Sequence, residues 1–142
     1  MSFGNTFETD LLELIFNATA ISNIADDAGT SPLTNLWVSL HTGDVGESGD
    51  QTTNEATYTS YARVSVARTS GGWTVSGNSV SPASNIDFPE ATGGTETITH
   101  FAIGTDETST GKVLAYGSIS PTISVSTGVI PRITTSSTLT LD

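Results

Sequence analysis

Asp44, Glu47 and Asp50 recur every third residue, with Glu55 behind them and glycines at 43, 46 and 49 in between. Calcium takes several oxygen ligands from a loop that can fold tightly. These carboxylates are therefore the candidate cation site of the chain. The ligand order of an EF-hand loop is absent, however, and a solvated acidic loop is the plainer reading. The two histidines offer less. His41 ends an alternating segment beside Asp44, and His100 stands between Thr99 and Phe101. No Gly-x-Ser-x-Gly elbow or other positioning element accompanies them, so both read as strand histidines hydrogen-bonded to a neighbouring strand or loop. No catalytic residue and no cofactor is expected. Trp37, Trp73, Tyr58, Tyr61 and Tyr116 have the faces to stack a sugar, but Trp37 and Trp73 lie in alternating segments and read first as core or interface residues. The cations Arg63, Arg68, Lys112 and Arg132 are too dispersed to form a patch. Arg63 is the one read as an anchor of a subunit contact.

These residues need elements to position them, and the chain changes period early. Phe7, Leu11, Leu14 and Ile15 recur at helical spacing over residues 5–17, with Asn5 as the expected N-cap and Glu8 three residues later in a capping-box arrangement. The stripe is the expected docking face of an N-terminal arm on a neighbouring subunit, or else the cover of one end of the domain's own core, with Ile21 and Ile24 pinning it back. Asp26-Asp27-Ala28-Gly29 and Ser31-Pro32 mark a connector. From Leu36 onward the period becomes two. Leu36, Val38 and Leu40 alternate with Trp37, Ser39 and His41. A polar loop over residues 42–57 follows, and loops of that length often carry function. Further strands are expected over 61–68, 73–76, around Ile86 and Phe88, over 96–103, 112–116, 123–125, 129–134 and 137–141. The spacing implies an antiparallel β-sandwich of jelly-roll type over residues 36–142, preceded by a helix and connector over 1–35. Val38, Leu40, Val64, Val66, Ile86, Phe88 and Ile103 are the expected core.

Composition narrows the function classes. In 142 residues there are 25 Thr, 19 Ser, 14 Gly and no Cys, the profile of a turn-rich β protein with neither disulfide nor thiolate chemistry. Lys+Arg number 4 against Asp+Glu 15, for a net charge of −11. Four cations cannot supply the phosphate contacts on which nucleic-acid binding rests. The first residues lack the cationic stretch and apolar core of a signal peptide, and no apolar run approaches a membrane span, so a protein made in a cytoplasm without membrane contact is expected.

Leu40-His41-Thr42-Gly43-Asp44-Val45-Gly46-Glu47-Ser48-Gly49 resembles the strand and loop of a small tailed-phage structural family, which commonly carries Leu-His-Thr-(Ala/Gly)-Asp-x-Gly-Glu-x-Gly. Tyr58-Thr59-Ser60-Tyr61-Ala62-Arg63, Gly72-Trp73-Thr74-Val75, Ile86-Asp87-Phe88-Pro89 and Thr99-His100-Phe101-Ala102-Ile103-Gly104 follow in that family's order. The resemblance covers roughly residues 30–142, with Val45 where Pro is frequent. Its members are usually called phage tail-fibre proteins. The resemblance implies a non-enzymatic virion component and supplies no catalytic or cofactor residues. Length, acidity and the N-terminal arm favour a capsid decoration (cement) protein bound to the major capsid protein, with a tail-fibre or tail-adaptor protein bound to tail structural proteins, or a receptor- or carbohydrate-binding module at the tail, as the alternative. A homo-oligomer, trimer or dimer, is expected.

Overall fold

The computed structural model describes residues 4–21, 25 and 32–141; Ile24 and the Asp26–Gly29 connector lie outside them. One helix, α1 (Asn5–Asn17), precedes nine strands: β1 (Asn35–His41), β2 (Val64–Ala67), β3 (Trp73–Ser76), β4 (Ser79–Pro82), β5 (Ile86–Asp87), β6 (Glu96–Gly104), β7 (Val113–Val125), β8 (Arg132–Ile133) and β9 (Leu139–Thr140). The fold is thus all-β with antiparallel sheets and one short N-terminal helix. The strands form a four-stranded sheet β2-β1-β6-β7, a three-stranded sheet β3-β4-β9 and the pair β5-β8. Contacts divide the chain into two compact units, each built from separated stretches.

The first unit holds residues up to 35, 66–85 and from 133 onward. Helix α1 packs on β3 and β4, and the residues it buries are Glu8, Leu12 and Phe16. The Phe7, Leu11, Leu14, Ile15 stripe is only half-buried. The i, i+4, i+8 face that wins carries a carboxylate at its first position, which is why apolar spacing pointed to the neighbouring face. The N-cap is Gly4, not Asn5, and no side chain caps that end. Instead the Glu8 amide donates to the Gly4 carbonyl at 3.0 Å. The other end has no basic residue in its last turn. Its cation comes from far along the chain: Arg68 donates from Nε to the Ile15 carbonyl and from Nη2 to the Leu14 carbonyl, both at 2.7 Å, and from Nη1 to Leu33 O at 2.7 Å. A guanidinium on the last carbonyls satisfies groups that a helix leaves unpaired and complements the negative end of its dipole.

Trp73 on β3 is 2 % exposed and meets Phe16 edge-on, with ring centroids 4.9 Å apart. Strand β3 pairs with β4 from Trp73↔Pro82 to Ser76↔Ser79 around a tight turn at Gly77-Asn78, with Gly77 at φ +60°. Strand β9 pairs with β4 through Val80↔Leu139. The Ser79-Val80-Ser81-Pro82 segment, outside the expected strands, is therefore the central strand of this sheet.

The second unit holds residues 36–65 and 86–132. Strand β1 pairs with β6 from Trp37↔Gly104 to His41↔His100. Strand β6 in turn pairs with β7 from Glu96↔Val125 to Gly104↔Val113, with register shifts between Ile98 and His100 and between Ile103 and Gly104. One face of β1 and β6 carries Val38, Leu40, Ile103 and Phe101; the other carries Trp37, Ser39, His41, Gly104, Ala102 and His100. Val38, Leu40, Ile86, Phe88 and Ile103 are core residues as expected. Val64 and Val66 are only half-buried, because β2 is the edge of its sheet. The strands expected over 112–116 and 123–125 are parts of the single β7, which begins at Val113.

Candidate functional site

The loop after β1 is a strap laid back along its own strand. The Thr42 amide donates to Asn54 O and the Ala56 amide to Leu40 O, both at 2.8 Å, bracketing a bridge between His41 and Glu55. His41 is fully buried. Its Nδ1 lies 2.8 Å from Thr53 O and its Nε2 lies 2.8 Å from Ser39 Oγ. In the neutral ring Nδ1–H donates to the carbonyl, and Nε2 accepts from the serine hydroxyl. His41 thus holds the strap from beneath, as a strand histidine bonded to a neighbouring loop. Burial pushes its pKa below the ordinary 6.5, against the opposing pull of the Thr53 carbonyl.

That shift fixes a sign. The unfolded chain binds the imidazole proton near pH 6.5, whereas the folded chain resists it. The stability His41 contributes is therefore present above 6.5 and is lost as pH falls below that value toward the lowered folded-state pKa. Asp50, Asp87 and Asp106, whose pKa values lie below 3.8, titrate outside this window. The urea midpoint is expected to drop between pH 7 and pH 5, and His41→Gln, although weaker at pH 7, is expected to flatten that slope. An unchanged slope in the variant would reject the assignment.

Gln51 is fully buried inside the strap. Its amide donates from the backbone to Thr110 O at 2.8 Å, and its side-chain Oε1 accepts from the Asp106 amide at 2.9 Å. The side chain runs between two glycines. A Cβ on Gly104 would collide with the Gln51 carboxamide. One on Gly111, which already takes φ +53°, would collide with Gln51 Oε1 and stand 2.8 Å from Asp106 Cβ. Gly104→Ala is thus an overpacking change and is expected to cost about 1–3 kcal/mol, read as a lower urea midpoint. Gly104→Ala with Gln51→Ala should recover part of the loss, and failure to recover any would show that the strain lies elsewhere.

Beyond the strap, Glu55, Tyr61 and Arg63 form one network. Arg63 forks onto Glu55 through Nε–Oε1 at 2.6 Å and Nη2–Oε2 at 2.8 Å, and its Nη1 donates to Asp106 O and Ser109 O at 2.8 Å each. Tyr61 donates its hydroxyl to Glu55 Oε1 at 2.9 Å while accepting from the Leu40 amide at 3.1 Å. Burial first, and the Glu55 charge second, push the Tyr61 pKa well above its ordinary value. Burial does the same to Tyr58, pushed up to about 12. Neither phenol exchanges protons at neutral pH. Asp106 closes the loop between β6 and β7: its carboxylate accepts from the Ser109 and Thr108 amides at 2.6 and 2.9 Å, which holds it below the usual carboxylate range. A pocket of about 260 Å³ opens beside this network, lined by Glu55, Tyr61, Ala62, Arg63, Glu107 and Thr108. Glu55, Arg63 and Tyr61 are all partnered within it, so the arrangement can fix two loops against each other.

The structure does not bring the cation candidates together. Asp44 is exposed and accepts from the Gly46 amide at 3.0 Å; Asp50 accepts from Thr52 Oγ1 at 2.6 Å and from the Thr52 amide at 2.8 Å; Glu47 is exposed. Among the described residues no three acidic or histidine side chains converge on a metal position. Of the interface candidates, Arg63 is buried in its own chain, Trp37 is half-buried on β1, and Phe7, Leu11, Leu14 and Ile15 flank the buried face of α1. Gln51 and the Glu55–Arg63 pairing escaped the sequence reading. The available signal for the pairing was a single arginine between two strand-forming runs, since a charge that becomes buried needs an opposite partner.

The strap, the loop it clamps and the strand pairs around them define an all-β scaffold tied together by backbone pairing and by the Glu55–Arg63 network, the build of a structural protein. Residues 2–141 match the family described as Podophage GP4 fiber I protein gp80, and the chain belongs to that family. The protein is therefore a phage fibre-family structural protein and a component of the virion. A search among curated proteins finds no match.

Proposed function

We propose that the protein is a tail-fibre subunit of a tailed phage that works by association and not by catalysis. The observation that carries this reading is the match along residues 2–141 to a podophage fibre family. It favours the tail alternative over capsid decoration, which rested on length, acidity and the N-terminal arm. The site agrees with a mechanical role. Arg63, Glu55, Tyr61, Asp106 and Gln51 lock the strap over residues 42–57 to the loop over 105–112, so that a side of the sheet is held in one shape when load or a partner acts on it. Helix α1 is short, at 13 residues, and among the described residues no coiled-coil shaft is present. Fibre length in this reading comes from other chains or from further copies.

Two measurements on purified virions test it. Immunogold label against the protein is expected on the tail, and quantitative mass spectrometry is expected to give about a dozen copies or a small multiple of the tail symmetry. Label over the head with copies on the order of hundreds, as icosahedral decoration requires, would restore the capsid reading.

A further inference from the structure

We propose that the outer edge of β7, over Val113–Ser118, pairs with the same segment of a second copy to extend the sheet across a two-fold axis. Strand β7 is the outermost strand of β2-β1-β6-β7. Among the described residues, no loop or side chain hydrogen-bonds to the backbone of 113–125, whose only backbone partners lie on β6. A long strand edge in that state is a template for another strand. The opposite edge, β2, has four residues; β7 has 13 and is mostly exposed or half-buried along its length, with Leu114 at 37 %.

The occupant follows from charge. A chain with net charge −11 repels its own copies wherever carboxylates face each other. Yet Val113-Leu114-Ala115-Tyr116-Gly117-Ser118 and the rest of β7 to Val125 contain no Asp, Glu, Lys, Arg or His. An antiparallel self-pairing across a two-fold needs such a stretch, since each residue there meets the same short set of residues from its copy. The register limits the pairing to one half of the strand. Between the Ser118 and Ile123 pairings, residues 119–122 stand opposite the single residue Thr99, and they include Pro121, which has no amide hydrogen to donate. A four-residue bulge with proline blocks an edge, leaving the six residues of Val113–Ser118, an ordinary strand length, within which the one irregularity is the extra residue Leu114 between the Val113 and Ala115 pairings. The inference concerns the protein alone and stands whether the assembly it serves is at the tail or the head.

The absence of cysteine makes the test clean. Single cysteines placed at each position from 113 to 118 in the full chain, with Ser126→Cys and Thr127→Cys as exposed controls, are oxidised at micromolar protein. Disulfide dimers are expected to peak at one or two adjacent positions within 113–118, where the two-fold axis crosses, and to be at background at the controls. The Leu114→Glu/Ser118→Glu variant, which adds charge at two exposed positions, is expected to weaken dimerisation at least tenfold by sedimentation, with circular dichroism and the urea midpoint unchanged. Monomer at all concentrations, equal cross-linking at the controls, or association that the charged variant does not weaken would each overturn the proposal.

Discussion

Arg63→Ala is expected to cost about 3–5 kcal/mol of folding stability, the range for removing one member of a buried ion pair. The side chain of Arg63 is 2 % exposed and that of Glu55 18 %. The truncation strands the Glu55 carboxylate, and it also removes the donor to Asp106 O and Ser109 O. Arg63→Lys keeps the charge but not the fork, and is expected to be destabilising too, by less. Replacing both partners, as Arg63→Met with Glu55→Leu, should recover much of the loss but not all of it, because the Tyr61 hydroxyl then lacks its acceptor. Arg132 and Asp87 form the same forked pair, but with side chains 51 % and 48 % exposed. Arg132→Ala is expected to leave the urea midpoint within error, since solvent-exposed pairs contribute little. An Arg63→Ala loss no larger than that of Arg132→Ala would refute the network as the clamp of the strap.

The second large effect is expected at the helix. Phe16→Ala should cost about 3–5 kcal/mol, the range for emptying a buried aromatic site, because Phe16 is 1 % exposed and meets Trp73 edge-on. Leu11→Ala, on the half-buried flank of the same helix, is expected to cost clearly less. The consequence reaches the arm reading. Removing residues 1–17 uncovers Trp73 and should lower the urea midpoint of the isolated protein. A truncated protein as stable as the full chain would mean that α1 is a detachable arm after all.

The contrast between those two leucine and phenylalanine positions shows what local pattern can carry. Spacing delimits α1 to the residue, because helical period depends on which positions are apolar. It misassigns the buried face, because Glu8-Leu12-Phe16 contains a charge and Phe7-Leu11-Leu14-Ile15 does not, and only β3 and β4 decide between them. Alternation locates β1, β3 and β6. It passes over β4, where Val80 is the single large aliphatic between serines, and it splits β7 at Gly117 and Pro121, residues that an edge strand tolerates. The candidate site was less legible still. Glu55 read as the tail of an acidic loop and Arg63 as a surface anchor, since nothing local couples two charges eight residues apart. The coupling exists because the strap folds back on β1 and sets Glu55 beside His41. Gln51 carried no signal, as its role is defined by two glycines more than fifty residues away.

The order of synthesis gives the Arg68 cap a temporal meaning. Helix α1 is made before the guanidinium that closes its end, the Trp73 that covers it and the β9 strand that completes its sheet, the last of these following by on the order of ten seconds at ordinary translation rates. Until β3 and β4 are made, the nascent chain carries an amphipathic segment without the strands it packs on. Because the unit draws on residues up to 35 and from 133 onward, its sheet is completed only once β9 has been made. A ribosome-stalled chain ending before residue 68 should therefore keep the helix open to protease and to chaperones, whereas the full 142-residue chain should protect it.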